Sequence, residues 1–203
     1  MVLVGVEDSL SEALARRLVA EAGFDLKQCT FTGKRGAGHL KSNLPSYLSA
    51  GNRRPVLLLT DLDDVACAPT LVAQWMRGNV MTANFMLRVA VREIEAWLLA
   101  DRTGIHRFLG IPLRRIASAP EQIADPKMEL LSLAKGASAE RRRGLVRTEG
   151  AEIFRGLDYN HILSDFVMRS WSSERAAANS ASLQKALNAL TAAKRNAARA
   201  SAN

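Results

Sequence analysis

Pro55-Val56-Leu57-Leu58-Leu59-Thr60-Asp61-Leu62-Asp63-Asp64 sets three acids within four residues directly behind a continuous apolar run. Such a run, opened by Pro, reads as a short strand buried on both faces. In open α/β sheets the carboxyl ends of strands hold side chains rigidly while the adjoining loops leave room for a ligand. If the backbone stays extended, Asp61 and Asp63 project to the same side and share a cation, with Asp64 turned away. The plainer alternative is a solvated turn in which Asp64 caps the next helix.

Upstream, Val2 to Val6 is a β-branched run that gives way to Glu7-Asp8-Ser9 and then to helical periodicity through Leu10, Ala13, Leu14, Leu18 and Val19. Strand, turn and amphipathic helix make the start of a βα unit. Glu7 then lies at the same sheet edge as Asp61, or else merely complements the helix dipole. Glu12, one turn along, reads as a surface residue within reach of the site. Phe24 to Phe31 is a weaker strand, followed by Gly33-Lys34-Arg35-Gly36-Ala37-Gly38. That loop matches neither dinucleotide nor P-loop spacing, so no nucleotide fold is inferred, but Lys34 is a candidate phosphate contact. A helix over His39 to Leu48 returns the chain to the Asp61 strand. The order βαβαβ predicts a parallel sheet with helices on both faces.

Downstream, Pro69 opens a helix through Met76, and Asn84 to Val91 is a fourth strand leading into Arg92-Glu-Ile-Glu-Ala-Trp97. A strand persisting through Glu95 puts Glu93 and Glu95 on one face, whereas a helix separates them. Ala-Trp-Leu-Leu-Ala favours helix from Glu95 onward, leaving Glu93 at the strand end as the preferred site residue. Trp97 reads as core. From Gly104 the composition shifts: Pro112, Pro120 and Pro126 punctuate the chain, and Lys127 to Leu133, Glu149 to Trp171 and Ser180 to Ala200 all read as helix. The expected organisation is an α/β core over 1–103 with a basic helical appendage over 104–203, fraying from Ala186 to Asn203.

The chain of 203 residues carries a net charge of +8, unevenly placed. Residues 1–101 hold 11 basic and 11 acidic side chains, whereas residues 102–155 hold 11 against 6. A cation-collecting centre beside a positive surface for a phosphate backbone produces this asymmetry, as does a generally basic surface. The two cysteines, Cys29 and Cys67, lack metal-site spacing and are expected to be small buried residues. With no apolar run near the roughly 18 residues of a membrane span and no signal-type amino terminus, the expected location is the cytoplasm, with no membrane contact.

Glu7, Asp61, Asp63 and a glutamate from 93 or 95 thus converge on one edge. Carboxylates this close raise one another's pKa unless a cation neutralises them, and oxygen-only ligation suits Mg²⁺ or Mn²⁺. Two such ions activate water and stabilise the leaving oxygen of a phosphodiester.

A Glu after the first strand and an Asp-x-Asp after the third resemble the signature of the TOPRIM fold of topoisomerases, bacterial primases, RNA-maturing ribonucleases and overcoming-lysogenisation-defect nucleases. The fuller pattern resembles a bacterial TOPRIM-like family of unassigned activity found around mobile elements and defence loci. It comprises Val6-Glu7-Asp8, Gly33-Lys34, Asp61-x-Asp63, Arg88 to Trp97, Leu99-Ala-Asp101, Asp125-Pro-Lys127, Ser170-Trp171 and Ser180-x-Ser182-Leu183. Asp8 departs from it, since many TOPRIM proteins have Gly there. The resemblance implies a TOPRIM-like sheet of about four strands and metal roles for Glu7, Asp61 and Asp63. By the same resemblance the general-acid/base work also falls to Glu7, Asp61 and Asp63, and the activity implied is that of a metal-dependent nuclease acting on DNA or RNA; Glu93 or Glu95, as the other half of the site, and Lys34 are the further catalytic candidates. By analogy the resemblance implies a separate ATPase partner, because no Walker motif occurs here.

Two other classes compete. A receiver domain also carries an acidic pair after strand one and an Asp after strand three, but needs a Lys ending a fifth strand where this chain has Ile111-Pro-Leu-Arg-Arg. A regulatory subunit with vestigial acids is the other alternative.

Overall fold

A computed structural model describes residues 1–200, and in it four parallel strands run in the order β2-β1-β3-β4. These are β1 (Val2–Val6), β2 (Cys29–Gly33), β3 (Val56–Asp61) and β4 (Phe85–Ala90). The central position of β3 explains its composition. Leu57 and Leu59 enter the core on one face and Val56 and Leu58 the core on the other, so every residue of the run is buried. Burying each such side chain contributes about 1.5–3 kcal/mol.

One face is covered by α1 (Ser9–Glu21), whose Leu10, Leu14, Leu18 and Val19 form an apolar stripe, and by the later helices. Asp8, not Glu7, caps α1, accepting from the Ser11 amide at 2.8 Å. The other face is covered by α2 (Gly36–Ser42), α3 (Leu44–Gly51) and α4 (Ala68–Trp75). The chain is therefore the α/β sheet flanked by helices that the sequence predicts, consistent with a TOPRIM-like fold.

Several local expectations change. The second strand begins only at Cys29, because Asp25 accepts from the Lys27 amide and winds Leu26–Gln28 into a 3-10 turn. The expected helix over 39–48 is two helices, broken at Asn43 with Pro45 in the first turn of α3. Asp64 caps nothing, since α4 starts four residues beyond it, behind Cys67. Cys67 is exposed and Cys29 only half-buried, so neither is a core residue.

The second half is not purely helical. After α5 (Ile94–Ala100), α6 (Arg102–Leu109), α7 (Pro126–Ala134) and α8 (Ala139–Leu145), the chain forms an antiparallel hairpin of β5 (Val146–Glu149) and β6 (Glu152–Arg155). Only then do α9 (Tyr159–Arg169), α10 (Ser173–Ala177) and α11 (Ala181–Ala200) follow. Fraying was expected as far as Asn203; residues 201–203 lie outside the described residues.

The two halves share one core cluster extending from Val2 to Leu190. Buried polar side chains fix their docking. Trp171 Nε1 donates to the Trp97 carbonyl at 3.1 Å, and Trp97 Nε1 donates to Ser182 Oγ at 2.7 Å. Asp101, fully buried, accepts from the Gly104 and Ser172 amides and from Arg175 at 2.6–2.7 Å. Glu121 accepts from Ser180 and Ser182. Buried polar groups cost free energy unless bonded, so these residues specify one docking of α10 and α11 on α5. No helix among the described residues is long and apolar enough to cross a membrane.

Candidate active site

Parallel register brings the carboxyl ends of β1, β3 and β4 side by side, with Asp61 opposite Ala90. Glu7, one residue past β1, bends over the end of β3. Its Oε1 accepts from the Thr60 hydroxyl and, at 2.9 Å, from the Asp61 amide. Burial raises the Glu7 pKa above the ordinary value, with Asp63 and Asp8 adding to the rise against those two hydrogen bonds.

Asp61 is the most perturbed acid of the edge. Burial, then Glu7, Glu95 and Asp63, push its pKa up to about 9, with Lys127 opposing. Asp63 follows differently from the expected extended geometry. The strand ends at Asp61, and Asp63 takes a left-handed φ of 49° in an exposed turn. Its amide donates to the Arg92 carbonyl at 3.0 Å, and Arg92 Nη1 donates back to the Asp63 carbonyl at 3.1 Å. Asp63 still adds to the field at Asp61, but from the turn and not from the same strand face.

Glu93 stands immediately before α5 and Glu95 lies in its first turn. Both turn toward Lys127. Its Nζ lies 2.7 Å from Glu93 Oε1 and 3.9 Å from Glu95 Oε1, and its amide donates to Glu93 Oε2 at 2.9 Å. Glu95 is the buried member: Tyr159 donates to its Oε1 at 2.9 Å, while its buried Oε2 has no hydrogen-bond partner. Burial pushes the Glu95 pKa up to about 7 against the pull of Lys127. Burial works against the Lys127 charge, yet Glu95, Glu93 and Asp61 raise its pKa. Tyr159, buried against Glu95, is held strongly upward and stays a hydrogen-bond donor.

Lys34 lies in the neighbouring loop. Its amide donates to the Val6 carbonyl at 2.8 Å and the Gly36 amide donates to the Glu7 carbonyl at 3.0 Å, stitching this loop to the Glu7 turn. Gly33 permits it: φ is +105° and an added Cβ would meet the Val6 carbonyl oxygen at 2.2 Å. Lys34 Nζ pairs with Glu12 at 2.9 Å and is half-exposed. Burial tends to raise Glu12, but Lys34 and Arg16 hold it below its ordinary value.

Among the described residues, no three His, Cys, Asp or Glu side chains already form a group able to hold a metal ion. The fit to a hard cation is instead one of chemistry and charge. The donors are all oxygens, Asp61 sits in the summed field of three other carboxylates, and Glu95 keeps an unbonded buried oxygen. Lys127, Tyr159 and Thr60 were given no role from the sequence. Asp125-Pro126-Lys127 does carry a helix-start signal, borne out by the Asp125 cap at 2.7 Å from the Met128 amide, but nothing local links it to Glu93. The parallel sheet has four strands among the described residues, so no fifth strand supplies a receiver-type lysine; the nearby cation comes from α7.

An acid-lined carboxyl edge on a four-stranded parallel sheet defines the class. The fold is similar to that of the C-terminal region of the Burkholderia pseudomallei OLD protein, with TM-score 0.52 and 14% sequence identity over 95% of this chain and 97% of that chain. At this identity the likeness shows the fold alone. No protein-family model matches the sequence, and a search of curated proteins returns no match.

Proposed function

We propose that the chain is a nuclease that hydrolyses phosphodiesters in DNA or RNA with Mg²⁺ or Mn²⁺. The observation that carries this reading is Asp61: a carboxyl held at the end of the central strand, forced toward neutrality first by burial and then by Glu7, Glu95 and Asp63, with a lysine beside them. A group of acids that repel one another this strongly is suited to a cation that lets them ionise.

In this reading Glu7, Asp61 and Asp63 hold the metal. When bound, it would supply Lewis-acid polarisation of the phosphate and a lowered pKa for attacking water. Glu95, with its pKa near 7, is matched to proton transfer at neutral pH, and Tyr159 holds it in place. Glu93 fixes Lys127, whose ammonium faces the charge that grows on a phosphate oxygen. Glu7 shares the acid/base work, and Lys34, released from Glu12, contacts a flanking phosphate. Residues 1–103 supply the acids of the chemical core, and the basic segment 104–203 adds Lys127 and Tyr159 to it and holds the nucleic acid. The similar fold occurs as the C-terminal region of a larger protein, which supports operation beside a second module such as an ATPase. Phage defence or a mobile element is the setting proposed.

Purified protein with Mn²⁺ or Mg²⁺ is expected to cut plasmid DNA or structured RNA, and Asp61→Ala to abolish cutting with an unchanged circular-dichroism spectrum. Cutting that survives the substitution would sink the assignment. A non-catalytic regulatory subunit would instead show no cation binding by calorimetry.

A further inference from the structure

A groove of about 480 Å³ lies between the β5–β6 hairpin and the start of α9, lined by Arg147, Phe154, Arg155, Leu157, Tyr159 and Asn160. Cations and aromatic rings alternate along it. The Arg147 guanidinium stands 5.1 Å over the Phe154 ring and that of Arg155 stands 5.9 Å over the Tyr159 ring. Leu157 is fully exposed between them. Arg147 is paired with Glu149 at 2.5 Å in the open solvent, a contact that a phosphate can replace at little cost.

The groove is tied to the acid edge at two points. Tyr159 bonds Glu95 at 2.9 Å, and Asn160 Nδ2 bonds Ser9 Oγ at 3.2 Å, two residues from Glu7. Asn160 Oδ1, in contrast, is buried with no hydrogen-bond partner.

We propose that this groove binds the single-stranded part of a nucleic-acid substrate and leads it to the acid edge. Resting on the nuclease reading for its direction, the inference adds the substrate class. The half-buried Phe154 ring and the exposed guanidinium planes take up the faces of unstacked bases while the arginine charges follow the phosphates; Tyr159, buried in the core, forms only the floor. A duplex hides those base faces, so Phe154 and Leu157 would have nothing to meet; phosphate attraction alone needs neither.

The test is fluorescence anisotropy in EDTA with labelled oligo-dT, oligo-U and a blunt duplex, each of about 12 nucleotides, a footprint typical of such grooves. At equal ionic strength, at least one single strand is expected to bind more tightly than the duplex, and the preferred oligomer identifies DNA or RNA. Phe154→Leu, which keeps the apolar bulk, is expected to weaken that binding about tenfold. Arg155→Gln, on an exposed position, is expected to weaken it and reduce the salt slope by about one. Arg53→Gln, an equal charge loss on an exposed turn before β3 and outside the basic segment, should leave it unchanged. Duplex binding as tight as both single strands, or binding unmoved by Phe154→Leu and Arg155→Gln, overturns the proposal. Because no cleavage is involved, binding that follows Phe154 while cutting is absent retains the groove and removes only the nuclease reading.

Discussion

Replacing Asp61 by Asn should stabilise the protein while ending its proposed chemistry. In the unfolded chain this carboxyl titrates near its ordinary 3.8; in the fold, burial and then Glu7, Glu95 and Asp63 push it up to about 9. The folded state therefore binds the extra proton across this interval. Stability present at low pH is lost as pH rises from about 4 through about 9. Each unit is worth at most about 1.36 kcal/mol, so the cost of Asp61 is at most about 1.6 kcal/mol at pH 5 and about 5.7 kcal/mol at pH 8. Side-chain rotation toward water and sharing of protons with Glu7 and Glu95 reduce the pH 8 figure to about 2–4 kcal/mol. An amide carries none of this cost. Urea unfolding in EDTA should show Asp61→Asn more stable than the parent by about 2–4 kcal/mol at pH 8 but by under about 1.5 kcal/mol at pH 5. Mn²⁺ should narrow the gap, because a ligand stabilises only the chain that binds it. Equal gains at the two pH values, or a loss at pH 8, would refute the electrostatic account of this edge.

Lys127→Met removes the cation between Glu93 and Glu95. The Glu95 pKa should climb above about 7, visible as an alkaline shift of its carboxyl resonance by NMR, and cutting should fall roughly 10²-fold. Asp101→Ala leaves Arg175 and the Gly104 and Ser172 amides without their common acceptor. The loss should cost about 2–3 kcal/mol in urea unfolding, chiefly from the two amides left without an acceptor, because Arg175 is partly exposed and turns to water.

The strands of the sheet were legible because β1 and β3 are apolar runs that end at once in polar turns, a pattern local to each segment. Their shared carboxyl edge follows from parallel order, so the positions of Glu7 and Asp61 could be read as well. The hairpin was missed because β5 and β6 are only four residues each and mostly solvent-facing, giving no apolar alternation to detect. Its two-residue turn at Gly150-Ala151, with Gly150 at φ +59°, was the available signal. The choice between Glu93 and Glu95 also escaped local reading. Both glutamates face one lysine, because Glu93 stays extended before α5 while Glu95 turns inward from its first helical residues.

What the sequence determined by itself was the framework: which runs are buried, where each ends, and which acids stand at those ends. Hydrophobic periodicity and turn chemistry act over a few residues, so they are written in the local order. Tertiary structure alone decided how the acids are charged. Asp61 is an ordinary carboxyl in the chain and becomes a reluctant one only when burial takes it out of water and Glu7, Glu95 and Asp63 are packed around it, with Lys127 opposing. Coulomb interaction and desolvation depend on distance in space, and Lys127 and Tyr159 reach Glu95 only after the second half has docked.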